Sequence, residues 1–253
     1  MHRFANPTRF LKLMAAVLPF AIAIAAVCLV TGLYWGLFVA PPDYQQGDTI
    51  RILYIHVPSA MMSQGIYVGM AVSSAIALIW KHAVADMIAK ASAPIGAMFC
   101  LLTLITGSLW GKPMWGTYWV WDARLTSVLI QFFIYLGYMA LWHAFEEEAK
   151  AAVAAAILAI VGVVMVPIIR FSVDWWNTLH QGATLITMDG PKIDPSQLWP
   201  LLFMIAGFMA YYVVVLIYRV RGEIHARTSR QLRLAEAMRA EADFEARQAQ
   251  TAR

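Results

Sequence analysis

The sequence has 253 residues, of which 61% are hydrophobic and 13% are charged, and the formal net charge at neutral pH is +4. Soluble domains are about 45–50% apolar and ~25% charged, so this composition excludes a water-soluble globule. The two cysteines, Cys28 and Cys100, both lie inside apolar runs, which excludes a disulfide framework and a CxxC motif.

Six apolar runs are each long enough to cross a ~30 Å hydrocarbon core as a helix. A lone strand cannot satisfy its backbone in lipid, so all six are predicted to be helices of one polytopic, all-α membrane domain. Pro58 is predicted to open the second helix, because a first turn does not need the N–H that proline lacks. Gly65 and Gly69 of the same span form a GxxxG pattern, which predicts a helix-packing contact. The predicted spans are about 13–39, 57–80, 91–109, 125–144, 151–169 and 198–218, within a membrane domain of residues 1–220.

Lysine and arginine are distributed unevenly between the two sides that six spans define. With the N-terminus inside, the inner segments contain 14 of the 19 basic residues. The positive-inside rule therefore predicts that both termini are cytoplasmic and that loops 40–57, 110–124 and 170–197 are periplasmic. The tail of residues 221–253 is predicted to be a solvated or surface-lying helix. A bland, partly disordered extension is favoured over a specific site that docks a cytoplasmic partner or anionic lipid.

The interior of the spans contains no ionisable side chain at mid-run. Proton relays, ion-coupled carriers and cofactor sites inside the membrane need such groups, so the chemistry is predicted at the surface. An ordinary aromatic belt populates both interfaces, whereas most tryptophans here lie at or beyond the predicted outer face. Eight of the ten tryptophans lie there, namely Trp35, Trp110, Trp115, Trp119, Trp121, Trp175, Trp176 and Trp199.

The second predicted loop, residues 110–124, has the densest cluster of tryptophans. Gly111, Pro113 and Gly116 are predicted to break a continuous helix there, so that the indole rings lie flat at the interface. Such a platform suits a large flat conjugated ligand, since each aromatic stack adds about 0.5–1.5 kcal/mol beyond area burial. A simple interfacial anchor is the alternative.

Two conformations of this loop remain open from the sequence. A local helix would place Trp115 and Trp119 on one face, whereas an extended segment would align Trp119 with Trp121. Asp122 is predicted to cap the fourth helix at its N-terminus. Arg124 lies in the first turn of that helix, where a cation opposes the helix dipole, so it needs an anion from Asp122 or from a ligand carboxylate.

Only two of the six histidines, His56 and His180, fall on the predicted outer segments. A single histidine at a boundary is usually just a polar residue, but two on the face with eight tryptophans fit axial ligation of a haem iron. A zinc site is less favoured, because no third histidine, cysteine or carboxylate cluster accompanies them at ligand spacing.

Three segments resemble a known family. Trp115–Thr126, with the sequence WGTYWVWDARLT, resembles the WGxxWxWDxRLT motif of the tryptophan-rich haem-handling membrane proteins of cytochrome c maturation. Tyr54–Pro58 and Phe171–Gly182 resemble the two histidine blocks that flank that motif. With six spans, the chain is most similar to the haem exporter protein C (CcmC) branch, because the sister haem lyases are considerably longer. The resemblance covers roughly residues 45 to 215.

The resemblance implies a bacterial inner-membrane protein that binds haem b transiently and non-covalently at its periplasmic face. His56 and His180 would be the axial ligands, against a platform of Trp115, Trp119, Trp121 and Asp122 that includes the turn at Gly116. Such proteins pass haem to a periplasmic haem chaperone (CcmE). They work with an ATP-binding-cassette ATPase (CcmA), its membrane subunit (CcmB) and a small one-span subunit (CcmD).

The chain itself has no GxxxxGK[ST] phosphate loop, so ATP hydrolysis is assigned to a partner and no enzymatic activity is expected. Arg51 or Arg124 is predicted to pair with the haem propionates, because guanidinium–carboxylate contacts are strong and geometrically specific. A transmembrane haem transporter is the first alternative function, and it ranks lower because the spans offer no polar path. A redox cytochrome ranks lower still, because its ligands are normally buried inside a bundle.

Overall fold

The computed structural model of the chain describes residues 6–180, 182, 185 and 190–251. Residues 1–5, the remaining positions of the predicted loop 170–197 and the last two residues of the tail lie outside the described part. In the described part all regular secondary structure is helical, apart from one isolated β-bridge between Asp43 and Gly47. The predicted all-α architecture is confirmed, since six segments are long and apolar enough to cross a membrane.

The six membrane-spanning segments run alternately in opposite directions. The end of the bundle with His56 and Asp122 is termed the tryptophan end, and the end with Glu148 is termed the tail end. A π-helical turn (Trp35–Val39) follows the first helix, and a 3-10 turn (Asp48–Ile52) precedes the second. The helices are α1 (Pro7–Tyr34), α2 (Leu53–Trp80), α3 (Ala83–Trp115), α4 (Ala123–Ala144), α5 (Glu148–Gly162), α6 (Met165–Trp175) and α7 (Pro195–Thr251).

Helix α2 begins before its proline. It starts at Leu53, so the prediction that Pro58 opens the second helix is wrong. The 3-10 turn leads directly into α2, and Arg51 secures this turn by donating to the carbonyls of Gly36 at 2.9 Å and Ala40 at 3.3 Å. Because the helix is nucleated upstream, the proline removes one internal hydrogen bond without setting the boundary.

The fifth predicted span consists of two helices. Helix α5 ends at Gly162 and α6 begins at Met165. Pro167 has no N–H to donate to the carbonyl of Val163, so the regular hydrogen-bonding pattern breaks at this point. The break redirects α6, whose far end leads to the segment with His180.

Buried tyrosines fill the space between α2, α3 and α4. Tyr67 and Tyr135 have no exposed surface, and their rings meet edge to face with centroids 5.0 Å apart. The Tyr135 hydroxyl donates to the carbonyl of Ser63 at 2.8 Å, which satisfies a polar group inside the apolar bundle. Gly96 of α3 provides the space for this ring.

Gly96→Ala is expected to destabilise the bundle, because a Cβ at this position would lie 2.3 Å from the Tyr135 hydroxyl. Overpacking of this kind costs about 1–3 kcal/mol. The thermal unfolding midpoint of detergent-purified protein, followed by circular dichroism, measures the effect. Gly65→Ala is the matched control, since no described atom lies within 4 Å of a Cβ there. Equal midpoints for the two variants would contradict the packing described.

The glycines of the GxxxG pattern do not form the predicted contact. No described atom of this chain lies within 4 Å of a Cβ at Gly65 or at Gly69. Both glycines are on the exposed face of α2, whereas the neighbouring Ile66 and Tyr67 turn inward. The prediction of a packing contact is therefore wrong within the chain.

Helix α7 continues without a break to Thr251, so the prediction of a helix is confirmed for the described part of the tail. Partly buried ion pairs hold the first turns of the tail against the bundle. Arg227 lies 2.6 Å from Asp86 of α3, and Lys90 of α3 lies 2.7 Å from Glu223. Glu148 of α5 joins the same cluster, 3.1 Å from Arg227. These pairs join α3, α5 and α7 at the tail end.

Candidate functional site

Helix α3 extends further into the tryptophan loop than predicted. It continues through Gly111 and Pro113 to Trp115, and only Gly116 ends it, with a left-handed φ of 76°. The prediction that all three residues break the helix is therefore wrong for Gly111 and Pro113. Gly111 accommodates the Trp115 ring, which would lie 2.9 Å from a Cβ there. A proline in the last turn removes only one internal hydrogen bond.

Beyond Gly116 the loop adopts the extended alternative. The rings of Trp119 and Trp121 pair edge to face, with centroids 5.4 Å apart. Ser108 of α3 anchors the loop by donating to the carbonyl of Tyr118 at 2.7 Å. The paired indoles cover an open apolar groove between α3 and α4, whose other lining residues are Leu104, Ile105, Ser108 and Leu129.

His56 lies in the first turn of α2 and packs against α3. Its Nδ1 is 3.0 Å from the hydroxyl oxygen of Thr106. The edge of its ring meets Trp110, with centroids 5.6 Å apart. Gly107 allows this approach, because a Cβ there would lie 3.0 Å from Cε1 of the imidazole. The histidine is thus held on a rigid helix pair.

His180 contacts the end of α3 and the N-terminal cap of α4. Its Nδ1 lies 3.3 Å from Oδ2 of Asp122, and its ring packs on Trp115 with centroids 4.7 Å apart. Its backbone N–H donates to the hydroxyl of Thr178 at 2.9 Å. The other carboxylate oxygen of Asp122 accepts from the backbone N–H of Leu125 at 2.7 Å, which confirms the predicted helix cap. One carboxylate therefore caps α4 and orients His180.

Arg124 extends from α4 to α6. Its Nε donates to the hydroxyl of Ser172 at 3.1 Å, and its Nη2 is 3.4 Å from the carbonyls of Ile169 and Arg170. These acceptors offset the unfavourable position of the cation at the start of α4. Within the described part of the chain, no hydrogen bond engages Nη1 of Arg124.

The electrostatics around His180 favour its neutral form. Burial lowers the pKa of His180 below its usual value, and the Arg124 cation adds to the lowering while Asp122 opposes it. His56 lies close enough to His180 for a charge on one ring to act on the other. A neutral imidazole is the form that ligates metal.

Imidazole is a common axial ligand of haem iron. In each ring Nδ1 has a polar partner, and Nε2 is the other ring nitrogen through which a histidine can ligate a metal. The buried indole N–H of Trp119 has no acceptor among the described residues. A bound ligand with a suitable oxygen would satisfy that donor.

The site residues therefore form two groups. His180 contacts both Trp115 and Asp122, whereas Trp119 and Trp121 contact each other over the groove. Sequence reasoning missed Thr106 and Gly107, which contact His56. No local signal marks them, because a threonine and a glycine in an apolar run are common, and only the packing of α2 on α3 brings them to the histidine.

Comparison with known proteins identifies the family. The model of the family described as heme exporter protein C matches residues 1–235 of this chain. The chain belongs to the heme exporter protein C family. The resemblance recognised in the three sequence motifs is thereby confirmed.

Relatives with the name heme exporter protein C are similar over nearly their whole length. The one from Bradyrhizobium diazoefficiens is 53% identical over 235 residues, which cover 93% of this chain and 89% of the relative. The one from Escherichia coli K12 is 47% identical over 224 residues, covering 88% of this chain and 90% of the relative. The one from Rhodobacter capsulatus is 44% identical over 237 residues, which cover 93% of this chain and 98% of the relative.

Proposed function

We propose that this protein handles haem in cytochrome c maturation, by binding haem b at the periplasmic face of the bacterial inner membrane and presenting it to the haem chaperone CcmE. The observation that carries the proposal is the pair of histidines at the tryptophan end, each with Nδ1 held by a polar partner, an arrangement in which Nε2 can ligate a metal. Two neutral imidazoles of this kind suit the iron of a haem held without a covalent bond. Membership of the heme exporter protein C family supports haem as the cargo.

The remaining site residues receive roles from their contacts. Trp115 packs on His180, and the turn at Gly116 leads the chain to Trp119 and Trp121, which would contact the apolar part of the macrocycle. Nη1 of Arg124 would pair with a haem propionate, since charge-assisted contacts of this kind are strong. Arg51 is less suited to that role, because its charge is already paired with the carboxylate of Asp48 at 3.0 Å.

The proposal places both termini in the cytoplasm, supported by the excess of basic residues on that side. It places the protein in a complex with the ATPase CcmA, the membrane subunit CcmB and the one-span subunit CcmD. ATP hydrolysis belongs to the partner, because the sequence has no GxxxxGK[ST] phosphate loop. In this proposal the chain is a haem-transfer factor and not an enzyme.

A transfer experiment tests the function. Haem-loaded protein in lipid nanodiscs is mixed with purified chaperone, and covalent loading of the chaperone is followed by haem stain after denaturing electrophoresis. We expect loading well above that with haem in empty nanodiscs. Loading no higher than in empty nanodiscs would overturn presentation to the chaperone. Haem accumulation inside sealed vesicles that contain this protein alone would support the transporter alternative instead.

Haem affinity is expected to stay constant as the pH falls from about 8 to about 6.5 and to decrease only at lower pH. Protons compete with iron for Nε2, and a histidine with its usual pKa of about 6.5 would begin to lose iron near that pH. Because burial lowers the pKa of His180, its protonated form becomes significant only in more acidic solution. Absorbance titrations across this pH range measure the dissociation constant. A decline that begins above pH 6.5 would contradict the lowered pKa.

A further inference from the structure

The hydroxyl of Thr106 determines which nitrogen of His56 carries the proton. Thr106 donates its own hydroxyl proton to the carbonyl of Leu102, one turn back in α3, at 2.6 Å. Its oxygen therefore faces His56 as an acceptor, at 3.0 Å from Nδ1. The neutral ring must then carry its proton on Nδ1, which leaves a lone pair on Nε2.

Gly107 determines where that lone pair points. A Cβ at this position would lie 3.0 Å from Cε1 of His56, so any larger residue would displace the ring. Trp110, one turn further along α3, meets the ring edge to face. One turn of α3 thus fixes both the tautomer and the orientation of an imidazole that belongs to α2.

The two histidines have acceptors of different strength. His56 faces neutral acceptors, the hydroxyl of Thr106 and the backbone carbonyl of Thr103, whereas Nδ1 of His180 faces the carboxylate of Asp122 at 3.3 Å. A carboxylate acceptor makes the imidazole more basic and a stronger metal ligand, and its charge outweighs the slightly longer contact. His180 should therefore bind iron more firmly than His56.

We propose that Thr106 and Gly107 are positioning residues for His56, and that His56 is the axial ligand that leaves first when haem is handed on. The inference rests on the proposed function, because it assumes haem between the two histidines. Release of the more weakly held ligand opens one iron position to the acceptor, while His180 retains the haem until transfer.

Ligand replacement in ferric haem-loaded protein tests the inference, with cyanide as the probe. Cyanide binds only after one histidine leaves, so stopped-flow absorbance gives the rate of ligand loss. Thr106→Val has nearly the same shape but no acceptor, and we expect it to raise the rate by about 10-fold, within the range of second-shell effects. Thr106→Ser should restore the wild-type rate, whereas Gly107→Ala should raise it.

The departing histidine is identified by chemical modification. In the cyanide complex, diethyl pyrocarbonate should modify His56 while His180 stays protected, as read by peptide mass spectrometry. Modification of His180 in preference to His56, or a cyanide rate that Thr106→Val does not change, would overturn this inference alone. Wild-type protein without a six-coordinate haem spectrum would overturn the proposed function and the inference with it.

Discussion

His180→Ala and His56→Ala are each expected to abolish the six-coordinate haem spectrum of the purified protein. Each substitution removes one axial nitrogen, and the contacts that orient the rings, from Thr106 and Asp122, cannot replace it. The loss of haem affinity should exceed the roughly 10–100-fold that follows when only a second-shell partner is removed. The visible absorption spectrum and a haem titration in detergent measure both effects.

His225→Ala is the matched control, because His225 is an exposed histidine of α7 on the tail side. It should leave the spectrum and the affinity unchanged. Chaperone loading should fall in parallel with haem affinity in the two site variants. If either site variant kept a six-coordinate spectrum with wild-type affinity, that histidine would not be a ligand and the site assignment would be wrong.

Asp122→Asn is expected to weaken haem binding by about 10–100-fold without unfolding α4. Asparagine caps a helix as well as aspartate does, so its carbonyl oxygen can still accept from the N–H of Leu125. Its amide nitrogen would then face Nδ1 of His180 in place of the carboxylate oxygen. An amide donates there, which drives the imidazole proton to Nε2 and blocks the atom that ligates iron.

Asp174→Asn provides the comparison for Asp122→Asn. It makes the same change of charge on an exposed residue close to Arg124, and it leaves the partner of His180 intact. Haem titration and thermal unfolding on both variants separate ligation from stability. A normal haem affinity in Asp122→Asn would show that the carboxylate acts only as a helix cap.

Local chemistry in the sequence predicted several features well. Asp122 before an apolar run predicted a helix cap, and the structure contains that hydrogen bond. The lengths of the apolar runs predicted six membrane-spanning segments. Each of these features, the helix cap and the membrane-spanning segments, depends only on residues close together in the sequence. Hydropathy and backbone hydrogen bonding determine the local structure there.

Helix ends were predicted less well, because contacts of nearby side chains override the signals of individual residues there. Pro58 lies inside α2 because a turn secured by Arg51 begins the helix earlier. Gly111 and Pro113 lie inside α3, where the Trp115 ring packs over Gly111. In each case the contacts of another residue, Arg51 for α2 and Trp115 for α3, accompany a helix that continues through a proline or glycine. The helix propensity of those residues alone would have ended it.

The sequence by itself determined the class of protein, since hydropathy requires helices in lipid and the WGTYWVWDARLT motif indicates the family. It also supplied the two histidines as the candidate ligands. Only the tertiary structure decided what each imidazole contacts, because Thr106 is 50 positions from His56 and Asp122 is 58 positions from His180. Hydrogen bonds act over about 3 Å, so partners this distant in sequence are selected by helix packing and not by any local pattern.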